Sequence, residues 1–112
     1  LGKRIPLAVA YEMALTGEPV DAARAFALGL VNRVVPGERV LDEAIALAER
    51  IAANAPLAVR VSKDVIRKSL ELTEEESWPL NNDAFGTIGR SADAMEGAIA
   101  FAEKRAPNWQ GK

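Results

Sequence analysis

Apolar residues return every three or four positions along most of this chain, the spacing of one face of a helix. Between about Ile5 and Leu15, Leu7, Ala10, Tyr11 and Ala14 share a face, with Val9 and Met13 on a neighbouring one. Beyond Arg4 only Glu12 is charged there, so this helix is expected to be largely buried, with Pro6 in its first turn and Thr16-Gly17 ending it. A second helix is expected from about Asp21, a residue suited to accept from orphan backbone N–H groups, to Leu28, with Gly29 as a left-handed stop. Val31 to Val35 reads as one short extended segment, closed by Pro36-Gly37.

The third helix runs from about Glu38 to Ala53, with Val40, Ala44, Leu47 and Ile51 as its stripe and Leu41 and Ala48 widening it. Asn54 and Pro56 separate it from a fourth, about Ala55 to Leu70, where Val61 and Val65 lie one turn apart, as do Ser62 and Ile66, and Lys63, Asp64, Arg67 and Lys68 form the wet side. Thr73-Glu74-Glu75-Glu76 has the form of a capping box opening a fifth. Pro79 is expected to limit or kink it, and Gly86 and Gly89 to loosen the region before Ser91. A sixth, about Ala92 to Lys104, carries Met95, Ala98, Ile99 and Ala102 as its stripe, and Pro107 and Gly111 mark an irregular tail. The fold class is therefore mostly α, with one short extended segment and no alternation of strands and helices that would build a Rossmann unit.

Composition narrows the function. The 112 residues suffice for one small domain and allow independent folding without guaranteeing it. Fourteen basic and 16 acidic residues are interspersed, so the basic footprint of nucleic-acid binding is missing. No apolar run approaches the roughly 20 residues of a membrane helix, and the first residues lack the apolar stretch of a signal peptide, so no membrane partner and a cytoplasmic location are expected. With neither cysteine nor histidine, the chain holds no disulfide, no thiolate nucleophile, no Cys/His metal site and no Ser-His-Asp triad. A chain opening on Leu1 is expected to be part of a longer or processed protein.

Two stretches carry more information. The first contains Ala10-Tyr11-Glu12-Met13-Ala14-Leu15-Thr16-Gly17, then Val20-Asp21-Ala22-Ala23-Arg24-Ala25, then Gly29-Leu30-Val31-Asn32-Arg33-Val34-Val35. The second is Ser91-Ala92-Asp93-Ala94-Met95-Glu96-Gly97, followed by Ala100-Phe101-Ala102-Glu103-Lys104-Arg105-Ala106-Pro107 and Trp109. In this order and separation they resemble the C-terminal part of the crotonase (enoyl-CoA hydratase/isomerase) family, and Pro56-Leu57-Ala58 and Ser62-Lys63 resemble the helix pair between. The resemblance implies a crotonase-like (ClpP/crotonase, α/β spiral) fold. Residues 1–36 would end its core as helix, turn, helix and short strand, and residues 37–112 would form the C-terminal helical oligomerisation region.

The resemblance also implies chemistry on acyl-CoA thioesters: hydration of a 2-enoyl-CoA, of the fatty-acid β-oxidation type, or another crotonase-family reaction (isomerase, dehalogenase, cyclase). In the family two backbone N–H groups hold the thioester oxyanion and two glutamates move water's proton. Coenzyme A is part of the substrate, and no metal or redox cofactor is implied. Those glutamates lie upstream of the pattern that begins near Leu1, so no catalytic residue is carried onto this sequence, and the chain is expected to be inactive alone. The retained helices would supply a lid, contacts in a trimer or hexamer of the full-length protein, and part of the coenzyme A site. Phe101 and Lys104 match positions near its adenine and phosphates.

Blander readings stand beside these. Phe101 could be peripheral core, and a cation near a helix C-terminus is favoured by the dipole alone. Glu74, Glu75 and Glu76 suit a helix's first turn better than acid–base chemistry. Tyr11 is expected in the core, and Trp78 and Trp109 in packing or a subunit contact. Ser62-Lys63 as a nucleophile pair is set aside. Pro79 leaves the acyl-chain preference, and even the reaction, open. The competing assignment is a non-catalytic helical assembly module.

Overall fold

The computed structural model describes every residue from Leu1 to Lys112. Its elements are α1 (Leu7–Thr16), α2 (Ala22–Ala27), a 3-10 turn (Gly37–Arg39), α3 (Val40–Ala52), α4 (Pro56–Ser69), α5 (Glu74–Gly89) and α6 (Ala92–Glu103). They fall into two compact units, Leu1–Ala44 and Ile45–Lys112.

In the first unit Pro6 caps α1 rather than entering it, and its carbonyl accepts from Val9 and Ala10 at 3.0 and 3.1 Å. Gly17, at φ 71°, ends the helix in the left-handed conformation that its missing Cβ permits. Asp21 caps α2 by accepting from the Arg24 amide at 2.7 Å. The chain then turns through Gly29, where the Leu30 amide reaches back to the Ala25 carbonyl at 2.9 Å. Arg24 meets Glu12 at 2.7 Å, joining α2 to α1 through a half-exposed pair of small energetic weight.

Two expectations fail in this unit. Residues 31–35 form no strand. An extended segment becomes a strand only by pairing its backbone with a neighbour, and the surrounding elements are helices whose N–H and C=O groups are already used internally. Nor is α1 largely buried. Ile5 and Ala10 are buried, but Leu7, Tyr11 and Leu15 face outward, so Tyr11 is not a core residue here.

In the second unit α4 packs on α5 and α5 on α6. Asn54 closes the end of α3 by donating from Nδ2 to the Arg50 carbonyl at 2.7 Å, and Pro56 opens α4 where its missing N–H costs nothing. The capping box of α5 forms in full: Thr73 Oγ1 accepts from the Glu76 amide at 3.3 Å, and Glu76 Oε2 accepts from the Thr73 amide at 2.9 Å. Contrary to expectation, α5 runs unbroken through Pro79 and includes Gly86 and Gly89. Pro79 withholds a bond from the Glu75 carbonyl one turn earlier, and Glu75 is exposed, so water can take that bond.

The chain's only buried apolar residues are Ile5, Ala10 and Ala100. Ile51, Ile66, Phe85, Met95 and Phe101 all face outward in the second unit, although most sit at the helical spacing of core positions.

Candidate functional site

The last helix faces the opposite way from its apolar pattern. Met95 and Ile99 of the expected stripe are exposed, and so are Ala98 and Ala102. The inward residues are Asp93 and Ala100, both 2 % exposed, with Glu96 and Gly97 half-buried between them. Positions 93, 96, 97 and 100 form one helical face, and the chain after α6 folds back along it.

That tail, residues 105–112, is fastened along its length. Asp93 accepts from the backbone amides of Gln110 at 2.6 Å and Gly111 at 2.9 Å. The Lys112 carbonyl accepts from the Ala92 amide at 2.9 Å. Glu96 accepts from the Asn108 amide at 2.6 Å and takes a two-pronged bond from the Arg105 guanidinium, 2.6 Å to Oε1 and 3.0 Å to Oε2. These contacts hold the Glu96 carboxyl at about 2, well below its ordinary value, the Arg105 fork first among the causes and the Asn108 amide second. The Trp109 indole N–H donates to the Ala53 carbonyl at 2.8 Å, and its ring lies where Gly97 has no side chain: a Cβ there would stand 3.2 Å from Cη2. Arg60 reaches the Gly111 carbonyl at 3.3 Å. Asp93, Glu96, Gly97, Arg105 and Trp109 of the C-terminal motif therefore form a strap whose work is structural. Trp109 packs, as expected.

The two residues singled out for coenzyme A sit where this strap begins. Phe101 is 85 % exposed, so it belongs to no core within this chain. Lys104 is not in the last helical turn as expected. It is the C-cap, at φ 53° and ψ 40°, and is the one non-glycine residue with positive φ. Its amide reaches the Phe101 carbonyl at 3.3 Å, and the Arg105 amide reaches Ala100 at 3.0 Å. One helix end thus presents an exposed aromatic ring and an exposed ammonium three residues apart.

Elsewhere the surface offers open grooves. One of about 360 Å³ between α4 and α5 is lined by Val61, Ser62, Val65, Ile66, Phe85 and Ile88, among others. Ser62 therefore does border a depression, but Lys63 does not line it and no base stands in it. Trp78 borders a neighbouring groove of about 330 Å³ with Val65, Ser77 and Asn81. Glu76 is committed to its cap, and the Thr73 amide and hydroxyl lower its carboxyl below the ordinary range. No group of three or more acidic side chains is placed to hold a metal ion, and no helix is long and apolar enough to cross a membrane.

Comparison with known proteins agrees with this geometry. Residues 1–112 match the enoyl-CoA hydratase/isomerase family. Carnitinyl-CoA dehydratase of Proteus mirabilis is 41% identical over 116 residues, covering 100% of this chain and 44% of that protein. The crystal structure of enoyl-CoA hydratase EchA1 from Mycobacterium marinum is 48% identical and superposes with a TM-score of 0.92, over 100% of this chain and 44% of that one. An enoyl-CoA hydratase structure from Mycobacterium tuberculosis is 46% identical with a TM-score of 0.94, at the same coverage. The chain thus spans less than half the length of these relatives. The motifs, the outward-facing helices and these matches agree: the chain belongs to the enoyl-CoA hydratase/isomerase family.

Proposed function

We propose that these residues are the C-terminal helical part of an enzyme that adds water to a 2-enoyl-CoA. They act as a lid, as contacts within a trimer or hexamer, and as one wall of the coenzyme A site. The observation that carries this is the inversion of α6: its polar and small face is locked under the strap, and its apolar face, with Phe101 and Lys104 at its end, is left outward. A helix that hides carboxylates and shows Met95, Ile99 and Phe101 is built to be covered by something larger. Lys104 would pair with a phosphate and Phe101 would pack on the adenine.

The proton-moving groups lie outside these 112 residues on this reading. Hydratase and dehydratase both occur among the relatives, and the two words describe one exchange of water run in opposite directions. The test is steady-state kinetics on the full-length protein with crotonyl-CoA, and with carnitinyl-CoA beside it. We expect turnover of crotonyl-CoA by the full-length protein and none by the 112-residue chain alone. Lys104→Ala should raise KM for the thioester about tenfold, the worth of one charge-assisted contact. Turnover by the isolated chain, or an unchanged KM in that variant, overturns the assignment.

A further inference from the structure

We infer that Arg105 is a positioning residue: by bridging Glu103 and Glu96 it holds Lys104 in the left-handed conformation and so fixes where the Lys104 ammonium is presented, an inference that rests on the coenzyme A reading above. Lys104 adopts a conformation that favours glycine, because an L side chain there brings its Cβ against the backbone. Such a residue persists only where its surroundings over-determine it. The surroundings here are specific. The residues on either side of Lys104 are tied to each other, Arg105 Nε to Glu103 Oε2 at 2.6 Å. The same guanidinium forks onto Glu96 two turns back in α6 and donates to the Ala106 carbonyl at 3.1 Å. The chain is thus clamped immediately before and immediately after the strained residue.

The two cations divide the labour between them. Arg105 has its guanidinium engaged on both sides, and the planar fork suits it to do so. Lys104 joins none of the ion pairs within the chain, so its ammonium is available to an external anion. A glycine at 104 would make the same turn without strain and would carry no charge. The chain instead holds a lysine in a glycine's conformation and commits an arginine and two carboxylates to keeping it there.

The experiment uses the full-length protein with Lys104→Ala, Arg105→Gln and the double variant. Two measurements are made: calorimetric Kd for coenzyme A, and hydrogen exchange of the 104 and 105 amides. We expect Arg105→Gln to speed exchange of both amides and to weaken coenzyme A binding about tenfold when Lys104 is present, with no further loss when it is alanine. Equal weakening in both backgrounds would mean that Arg105 acts on coenzyme A independently of Lys104, and unchanged exchange would mean that it does not hold the turn. Either result overturns the inference. If Lys104→Ala alone leaves Kd unchanged, the coenzyme A reading fails, while the exchange data still judge the clamp separately. Should Arg105→Gln not fold, Glu103→Gln removes the exposed anchor only and is expected to show the same pattern more weakly.

Discussion

Asp93→Asn is expected to release the C-terminal tail while leaving the rest of the protein folded. Asp93 is 2 % exposed and lies in the first turn of α6, where the helix dipole favours negative charge. Its two oxygens each accept one backbone N–H, from Gln110 at 2.6 Å and Gly111 at 2.9 Å. Asn is almost isosteric but has one accepting oxygen, and its NH2 must face the other amide, so one bond is lost and a buried donor is left unpaired. Bonds to a charged acceptor contribute about 1.5–3 kcal/mol each. Against this stands a gain, since a neutral amide costs less to bury than a carboxylate. The hydrogen-bond term wins because both donors are already aimed at the site and the dipole favours the charge. The net loss should be about 2–3 kcal/mol of local stability, which makes the bonded tail amides of Asn108, Gln110 and Gly111 exchange about 30- to 150-fold faster. Hydrogen exchange of the full-length protein reads this directly, with amides of α4 as the internal standard that should not move. Tail exchange within threefold of the unsubstituted protein would refute the reasoning, for it would mean that the two bonds at Asp93 contribute nothing to holding the strap.

The same strap gives two more expected outcomes. The Glu96 carboxyl is held down to about 2 from 4.5, so its stabilisation is complete above about pH 4.5 and is lost as pH falls from there toward 2. Tail protection, meaning exchange relative to that of the unstructured chain at the same pH, should fall through that acid window in the unsubstituted protein and be flat there in Glu96→Gln; parallel profiles would sink the assignment. At Gly97 a Cβ would stand 3.2 and 3.4 Å from Trp109 ring carbons, so Gly97→Leu must displace the indole from the Ala53 carbonyl. It should destabilise the strap by about 1–3 kcal/mol, net of the roughly 1 kcal/mol that a helical glycine returns when replaced. The check is a red shift and new quenching of Trp109 fluorescence over the constant signal of exposed Trp78; an unshifted spectrum would show that the ring has room to spare.

The local events are legible in the order of the residues. Helix starts and stops are written in short-range chemistry: Asp21, Thr73 and Ser91 cap because a side-chain oxygen sits within reach of an amide three residues on, and Gly17 and Gly29 end helices because they lack a Cβ. The motifs that point to the family are equally local runs of residues. Periodicity also found the apolar faces correctly, but it could not say what covers them: Tyr11 reads as core and is exposed, and the stripe of Met95 and Ile99 closes on nothing within this chain.

The remaining features depend on contacts between residues distant in the chain. Asp93 and Glu96 are charged, and by composition alone they belong outside; they are inward because a tail 9 to 18 residues later brings backbone N–H groups and a guanidinium to them. Pro79 reads as a break and is not one, since the bond it withholds falls in an exposed turn that water can satisfy. Residues 31–35 read as a short extended segment, and no partner pairs with them to make a strand. Lys104 reads as an ordinary last-turn cation, and only its φ of 53° shows that it is held in a glycine's conformation. In each case the sequence states what a residue prefers, whereas burial and pairing depend on groups far away along the chain, which no local pattern contains.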